Sequence, residues 1–220
     1  MRTQIRQGGL LMRRFAVVMC VALLAMAMTS CDWLFPGIDP TPNPDPNPAP
    51  GATLFFDDFA DGLEPEWNVT TGWEVGAGML IHKTSDAWAY VGHGSDWRDY
   101  RVDVDIEPRN EDVGIIVRCQ EDMQSYVLVY GDTDRLKCKI YLNGDDIEDT
   151  GWSSPGFFDG EQSAQIRVEG TTLRFYLNGN LRLTVEDIPF LSGMPGLYSY
   201  GYSSSESEAR FDNFRVTDLD

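Results

Sequence analysis

The chain is short of bases. Its 220 residues carry 17 Lys and Arg against 35 Asp and Glu, a net charge of −18. That deficit disfavours a nucleic-acid partner, because a phosphate backbone is held by Lys and Arg. Histidine is scarcer still, with His82 and His93 alone. Neither sits in a His-Glu-x-x-His pattern, and no Gly-x-Ser-x-Gly or Cys-x-x-Cys occurs. Hydrolysis by a zinc centre or a serine elbow therefore has no support. Helical periodicity is missing as well: no window of ten residues shows a convincing amphipathic pattern. After residue 30, no apolar run approaches the about 20 residues of a membrane-spanning helix.

What is present begins with Cys31. Before it run Met12-Arg13-Arg14, an apolar stretch from Phe15 to Met28, then Thr29-Ser30. A basic start, an apolar centre and small residues at the end make a secretory signal, too short and too abruptly ended for a membrane anchor. With cysteine directly after the small residues, Met28-Thr29-Ser30-Cys31 resembles the lipobox of bacterial lipoproteins. That resemblance implies cleavage before Cys31, acylation of Cys31, and residence in the cell envelope. Residues 1–30 then form the signal. Their loss removes four arginines and no acid, leaving 13 bases against 35 acids, a net charge of −22. Anionic headgroups would repel such a chain, so membrane contact is expected through the lipid only.

Residues 31–52 hold the cysteine and a tether. Proline recurs at every second position from Pro40 to Pro50. Proline fixes φ and lacks a backbone donor, so the segment cannot join a helix or a sheet ladder. As a polyproline II spacer, sixteen residues reach roughly 50 Å.

Residues 53–220 read as one domain with period two. Tyr100, Val102, Val104 and Ile106 alternate with Arg101, Asp103, Asp105 and Glu107. Tyr126, Leu128 and Tyr130 alternate with Val127 and Val129. Turn signals separate the runs, and Asn178-Gly179 between Tyr176-Leu177 and Leu181-Arg182-Leu183 predicts a type I′ hairpin. Many short strands with regular turns predict an all-β sandwich or barrel.

The order of the pieces narrows this. The domain opens with Phe55-Phe56-Asp57-Asp58-Phe59-Ala60-Asp61-Gly62 and continues through Gly72-Trp73-Glu74-Val75, Trp97-Arg98-Asp99-Tyr100 and Phe175-Tyr176-Leu177-Asn178-Gly179. It closes with Gly196-Leu197-Tyr198 and Phe211-Asp212-Asn213-Phe214-Arg215-Val216. Over residues 54–217 this resembles the concanavalin A-like lectin/glucanase superfamily, in its laminin G-like and glycosidase-associated forms. The resemblance implies a two-sheet antiparallel jelly-roll sandwich, with first and last strands adjacent and glycans bound or hydrolysed on the concave sheet. A fold of this kind hosts many functions.

Four sets of residues are candidates for chemistry. Asp57, Asp58 and Asp212 come together if the termini pair as the resemblance implies, and hard oxygen ligands there suit one structural calcium ion. Turn capping and a plain strand position explain the same residues equally well. Asp103, Asp105 and Glu107 share one strand face and resemble the Glu-x-Asp-x-Glu signature of laminarinase-type retaining glucanases, with Asp103 in place of the first Glu. The shorter side chain widens a gap that retaining chemistry keeps at about 5–5.5 Å, so a solvated strand face is the preferred reading. Trp88, Tyr126 and Tyr198 offer rings for the apolar faces of sugars, and Arg118 a donor for their hydroxyls; packing in the core is the competing reading for each ring. Cys119 and Cys138 flank a middle strand at a Cα separation of about 10 Å, too far for a disulfide, and read as buried thiols. The acidic run Asp145, Asp146, Glu148 and Asp149 reads as a solvated loop.

The expected function is a cell-envelope lipoprotein whose jelly roll binds a glycan or polysaccharide without transforming it. A laminarinase-like hydrolase and a laminin G-like interaction module remain open as alternatives.

Overall fold

The computed structural model describes residues 51–220 except 84–86, 110, 133, 155, 158–159 and 202–207. The signal segment, Cys31 and nearly all of the tether lie outside the described residues. The described chain forms fifteen strands and no helix.

Two antiparallel sheets make the fold. The first runs β13 (Asn180–Val185), β12 (Thr172–Leu177), β11 (Gln162–Glu169), β6 (Tyr100–Arg109), β15 (Glu208–Asp218), β4 (Met79–His82) and β3 (Trp73–Gly76), with β1 (Thr53–Asp57) also paired to β15. The second runs β10 (Asp145–Asp149), β9 (Leu136–Leu142), β8 (Tyr126–Gly131), β7 (Glu111–Cys119), β14 (Met194–Gly201), β5 (Ala87–Val91) and β2 (Trp67–Val69). First and last strands pair, Phe56 against Arg215 and Asp57 against Phe214. The main core is the inward set of both sheets. Tyr100, Val102, Val104, Ile106, Ile166, Phe175, Phe211 and Phe214 from the first sheet meet Val113, Ile115, Val117, Val127, Val129, Ile140 and Leu197 from the second. Alternation puts every second residue there because successive strand side chains point to opposite faces.

The hairpin expectations hold in detail. Asn178 and Gly179 have φ of 50° and 74°, and Asn143 and Gly144 of 52° and 85°, the two positive values a type I′ turn requires. The second turn corrects one expectation: the acidic run is not a loop. It folds back as the exposed edge strand β10. Lys137 donates to Asp149 at 2.6 Å, and Lys139 pairs with Asp146. Charges on an edge strand also discourage pairing with a second chain.

Both thiols are free and buried, and burial pushes each up to about 12. They face opposite ways. Cys138 lies in the main core, while Cys119 lies in a second apolar cluster outside it. The cause is Arg118, whose φ of 56° marks a bulge; the register of β14 slips from Met194↔Cys119 to Gly196↔Ile116. One extra residue turns every later side chain to the other face.

Candidate functional site: an aromatic belt on the second sheet

The second cluster lies on the outer face of the second sheet. Ile116, Cys119, Tyr126, Leu128 and Met194 are buried there, under Trp88, Tyr90, Met123, Tyr130, Tyr141 and Tyr198. Strand register orders these groups into rows. One row reads Trp88 (β5), Tyr198 (β14), Gly114 (β7), Tyr130 (β8) and Lys137 (β9). The next reads Tyr90, Gly196, Ile116, Leu128 and Lys139. Each row crosses five strands, about 19 Å at the usual strand spacing of about 4.8 Å.

A glycine interrupts each row and lowers its floor. A Cβ on Gly114 would lie 2.7 Å from both the Val129 carbonyl and the Tyr130 Cβ; on Gly196 it would lie 2.5 Å from the Ala89 carbonyl. Both distances are closer than carbon tolerates, so the backbone itself forms the bottom between the rings.

The rings touch one another along the row. Trp88 and Tyr198 have centroids 6.0 Å apart, Tyr198 and Tyr130 5.7 Å, and Tyr130 and Trp152 5.6 Å. Tyr126 and Tyr141 stack at 4.7 Å with planes 25° apart. At one end the Lys137 ammonium lies 4.6 Å from the Trp152 ring centre, and the Arg135 guanidinium 4.1 Å. Trp152 is 40% exposed. Burial pushes the Tyr130 phenol up to about 12, so it stays a neutral hydroxyl that can donate and accept. Half-buried rings over a buried apolar floor, with polar groups at the margin, make a surface suited to ligands that carry both C–H faces and hydroxyls.

Three of the sequence candidates meet here: Trp88, Tyr126 and Tyr198. Arg118 does not. The bulge points its side chain inward, fully buried, with its guanidinium 5.6 Å from the Tyr100 ring centre and 3.4 Å from both Asp99 and the Gly170 carbonyl. Burial holds its pKa below the usual guanidinium value. Alternation places Arg118 opposite Val117, and the bulge overrides that placement. Tyr130 and Lys137 were recoverable from alternation along β8 and β9. Trp152 was not, since it comes from an irregular segment after β10, held to β9 by the Leu136–Ser153 bridge and by Thr150 on Cys138.

The other candidates lie elsewhere. Asp103, Asp105 and Glu107 project from the outer face of the first sheet, on the far side of the sandwich from the belt. Each meets a donor: Arg101 and Gln165 on Asp103 at 2.7 Å, Asn213 on Asp105 at 3.0 Å, Arg109 on Glu107 at 2.6 Å. The calcium expectation meets a poor fit. Asp57 is buried, and its carboxylate accepts from the amides of Phe59 (2.7 Å) and Glu64 (3.2 Å) and from the Trp67 indole (2.8 Å). Asp58 accepts from the Ala60 amide. Asp212 accepts from the Asn213 amide, and burial with Asp105, Asp58 and Asp57 nearby raises its pKa. Among the described residues no group of three such side chains is placed to hold a metal. Asp57 and Asp58 cap the turn that follows β1, and Asp212 stands within β15.

One constellation escaped the sequence reading. His82 of β4, Ser199 of β14 and Glu111 of β7 are buried between the sheets. The Ser199 hydroxyl donates to Glu111 at 2.5 Å and lies 2.9 Å from His82 Nδ1. Serine stands between the base and the acid rather than at the end of the chain, and all three groups are closed to substrate. This is a clasp between sheets, not a nucleophile.

No family model matches the sequence, and no curated protein matches it significantly. Solved structures do match. A carbohydrate-binding module from Bacillus subtilis aligns at 18% identity with a TM-score of 0.58, over 70% of this chain and 96% of its own. A Bacillus licheniformis β-glucanase aligns at 10% identity and TM-score 0.58, over 76% and 98%. A Bacillus subtilis protein of unknown function with a galectin-like fold aligns at 12% and 0.59, over 77% and 97%. The fold is thus a concanavalin A-like jelly roll, which both carbohydrate-binding modules and glucanases adopt.

Proposed function

We propose that this protein is a cell-envelope lipoprotein whose jelly roll binds a glycan, without cleaving it, on the aromatic belt of its second sheet. The observation that carries the reading is the contiguous series Trp88, Tyr198, Tyr130 and Trp152 over a floor of Gly114 and Gly196. Rings spaced along about 19 Å suit several sugar units laid across the strands, each offering a C–H face to a ring. The carbohydrate-binding module and β-glucanase among the structural neighbours favour a sugar over other amphipathic ligands. A non-catalytic role is favoured because Asp103, Asp105 and Glu107 lie on the other sheet and are held by Arg101, Gln165, Asn213 and Arg109.

The test is retention on immobilised polysaccharides, among them a β-glucan and a mucin, with reducing ends measured in parallel. The wild-type protein binds at least one and releases no reducing ends. Trp88→Ala weakens that binding about ten-fold or more, the usual effect of removing a central aromatic anchor. Undiminished retention by Trp88→Ala removes the belt from the reading, and release of reducing ends replaces binding with hydrolysis.

A further inference from the structure

The outer face of the first sheet holds a depression that the belt does not use. Its volume is 410 Å³, near the lower end of the about 300–1,000 Å³ of small-molecule sites. Phe56, Arg101, Asp103, Asp105, Gln165 and Arg215 form most of its lining, and Ser163 and Asn213 also contribute.

A bulge opens it. Strand β15 pairs Asp212 with Asp105 and then Arg215 with Asp103. Two residues, Asn213 and Phe214, therefore stand against the single residue Val104. Asn213 takes a φ of 53°. Phe214 turns into the core at 0% exposure, and the Asn213 amide swings outward to donate to Asp105 at 3.0 Å. The outer face is left bare over Val104, which belongs to the lining while its side chain packs in the main core. Bulges re-aim side chains in this way, often beside binding sites.

The lining is balanced in charge and in hydrogen-bonding sense. Two guanidiniums, Arg101 and Arg215, stand with two carboxylates, Asp103 and Asp105. Arg101 Nε and Gln165 Nε2 each donate to one oxygen of Asp103 at 2.7 Å. Each carboxylate oxygen can accept a second donor, and each guanidinium has further N–H groups. Phe56 is 38% exposed and forms an apolar wall, with the Arg215 guanidinium 4.2 Å from its ring centre. Balanced charge gives no pull on an ion, and a domain this acidic repels anions. Paired donors and acceptors beside an apolar wall match a neutral polyol.

We propose that this depression is a second saccharide site, taking a neutral mono- or disaccharide independently of the belt. Two sites on opposite faces would let one domain hold two glycan segments at once.

The test reads the side-chain amide signals of Gln165 and Asn213 in ¹H–¹⁵N spectra. The probes are glucose, galactose, N-acetylglucosamine, cellobiose, lactose and chitobiose, each raised to about 50 mM to saturate a Kd in the millimolar range. At least one sugar is expected to shift both amides along a saturating curve, equally in wild type and in Trp88→Ala. Asp103→Ala removes the central acceptor, and Ser163→Tyr fills the depression from an exposed position; each abolishes the shifts. Silence with all six sugars overturns the proposal. So do shifts that survive in Ser163→Tyr, and shifts that vanish in Trp88→Ala. The belt reading is judged separately, by polysaccharide retention.

Discussion

Asp57 shows how one carboxylate can organise the start of the domain. It is buried, and three N–H groups converge on it from Phe59, Glu64 and the Trp67 indole. That last bond fixes Trp67 among Phe55, Phe59 and Phe214. Removing the acceptor strands buried donors, which costs more than the bonds themselves contribute. Asp57→Ala is expected to lower stability by about 3 kcal/mol, seen as a fall in the urea midpoint, with Asp57→Asn losing less because one acceptor remains. Calcium and chelator should leave the wild-type midpoint unmoved; a midpoint that rises with calcium would restore the metal reading. The same scale shows where the sequence was legible. Alternation alone puts Trp88, Tyr126 and Tyr198 at strand parity, and the structure gathers them on one face. It misplaces Arg118 because a bulge is a single positive φ at an arginine, a residue type that carries no signal for it.

Strands and hairpins were readable because their signals are local. A period of two and an Asn-Gly pair need no knowledge of the rest of the chain. Which strands neighbour one another is not local, and the belt depends on it. Trp88 and Tyr130 are distant in sequence, yet β14 and β7 bring them into one row. Only that register shows that Gly114 is a floor rather than a flaw in a buried strand. Gly114→Val tests the element. Its added carbons meet the Val129 carbonyl and Tyr130 within 2.7 Å, so β7 and β8 must separate or Tyr130 must move. Glycan retention should drop at least as far as in Trp88→Ala, with the unfolding midpoint also lowered. An unchanged midpoint together with full retention would mean that the floor has room to spare.

At the scale of the whole molecule, charge and tether bear on one question: what would hold the proposed lipoprotein at a membrane. Removal of residues 1–30, as the proposed signal implies, would leave a chain of −22, which anionic headgroups repel on balance. That repulsion fades over about 8 Å at physiological salt, whereas the polyproline II spacer expected from the sequence would reach roughly 50 Å. On the proposed reading, a domain on such a spacer would stand beyond the surface field, and neither of its proposed sugar faces would have to meet lipid. On the proposed lipoprotein reading, anchoring rests on the acyl chains at Cys31, each buried CH₂ contributing about 0.8 kcal/mol. Cys31→Ala should therefore move the protein out of the membrane fraction and out of the detergent phase, while glycan retention by the released protein stays at the wild-type level. Continued membrane association of Cys31→Ala would place the anchor elsewhere in the chain. Loss of glycan retention along with the lipid would mean that binding needs many copies arrayed on a surface.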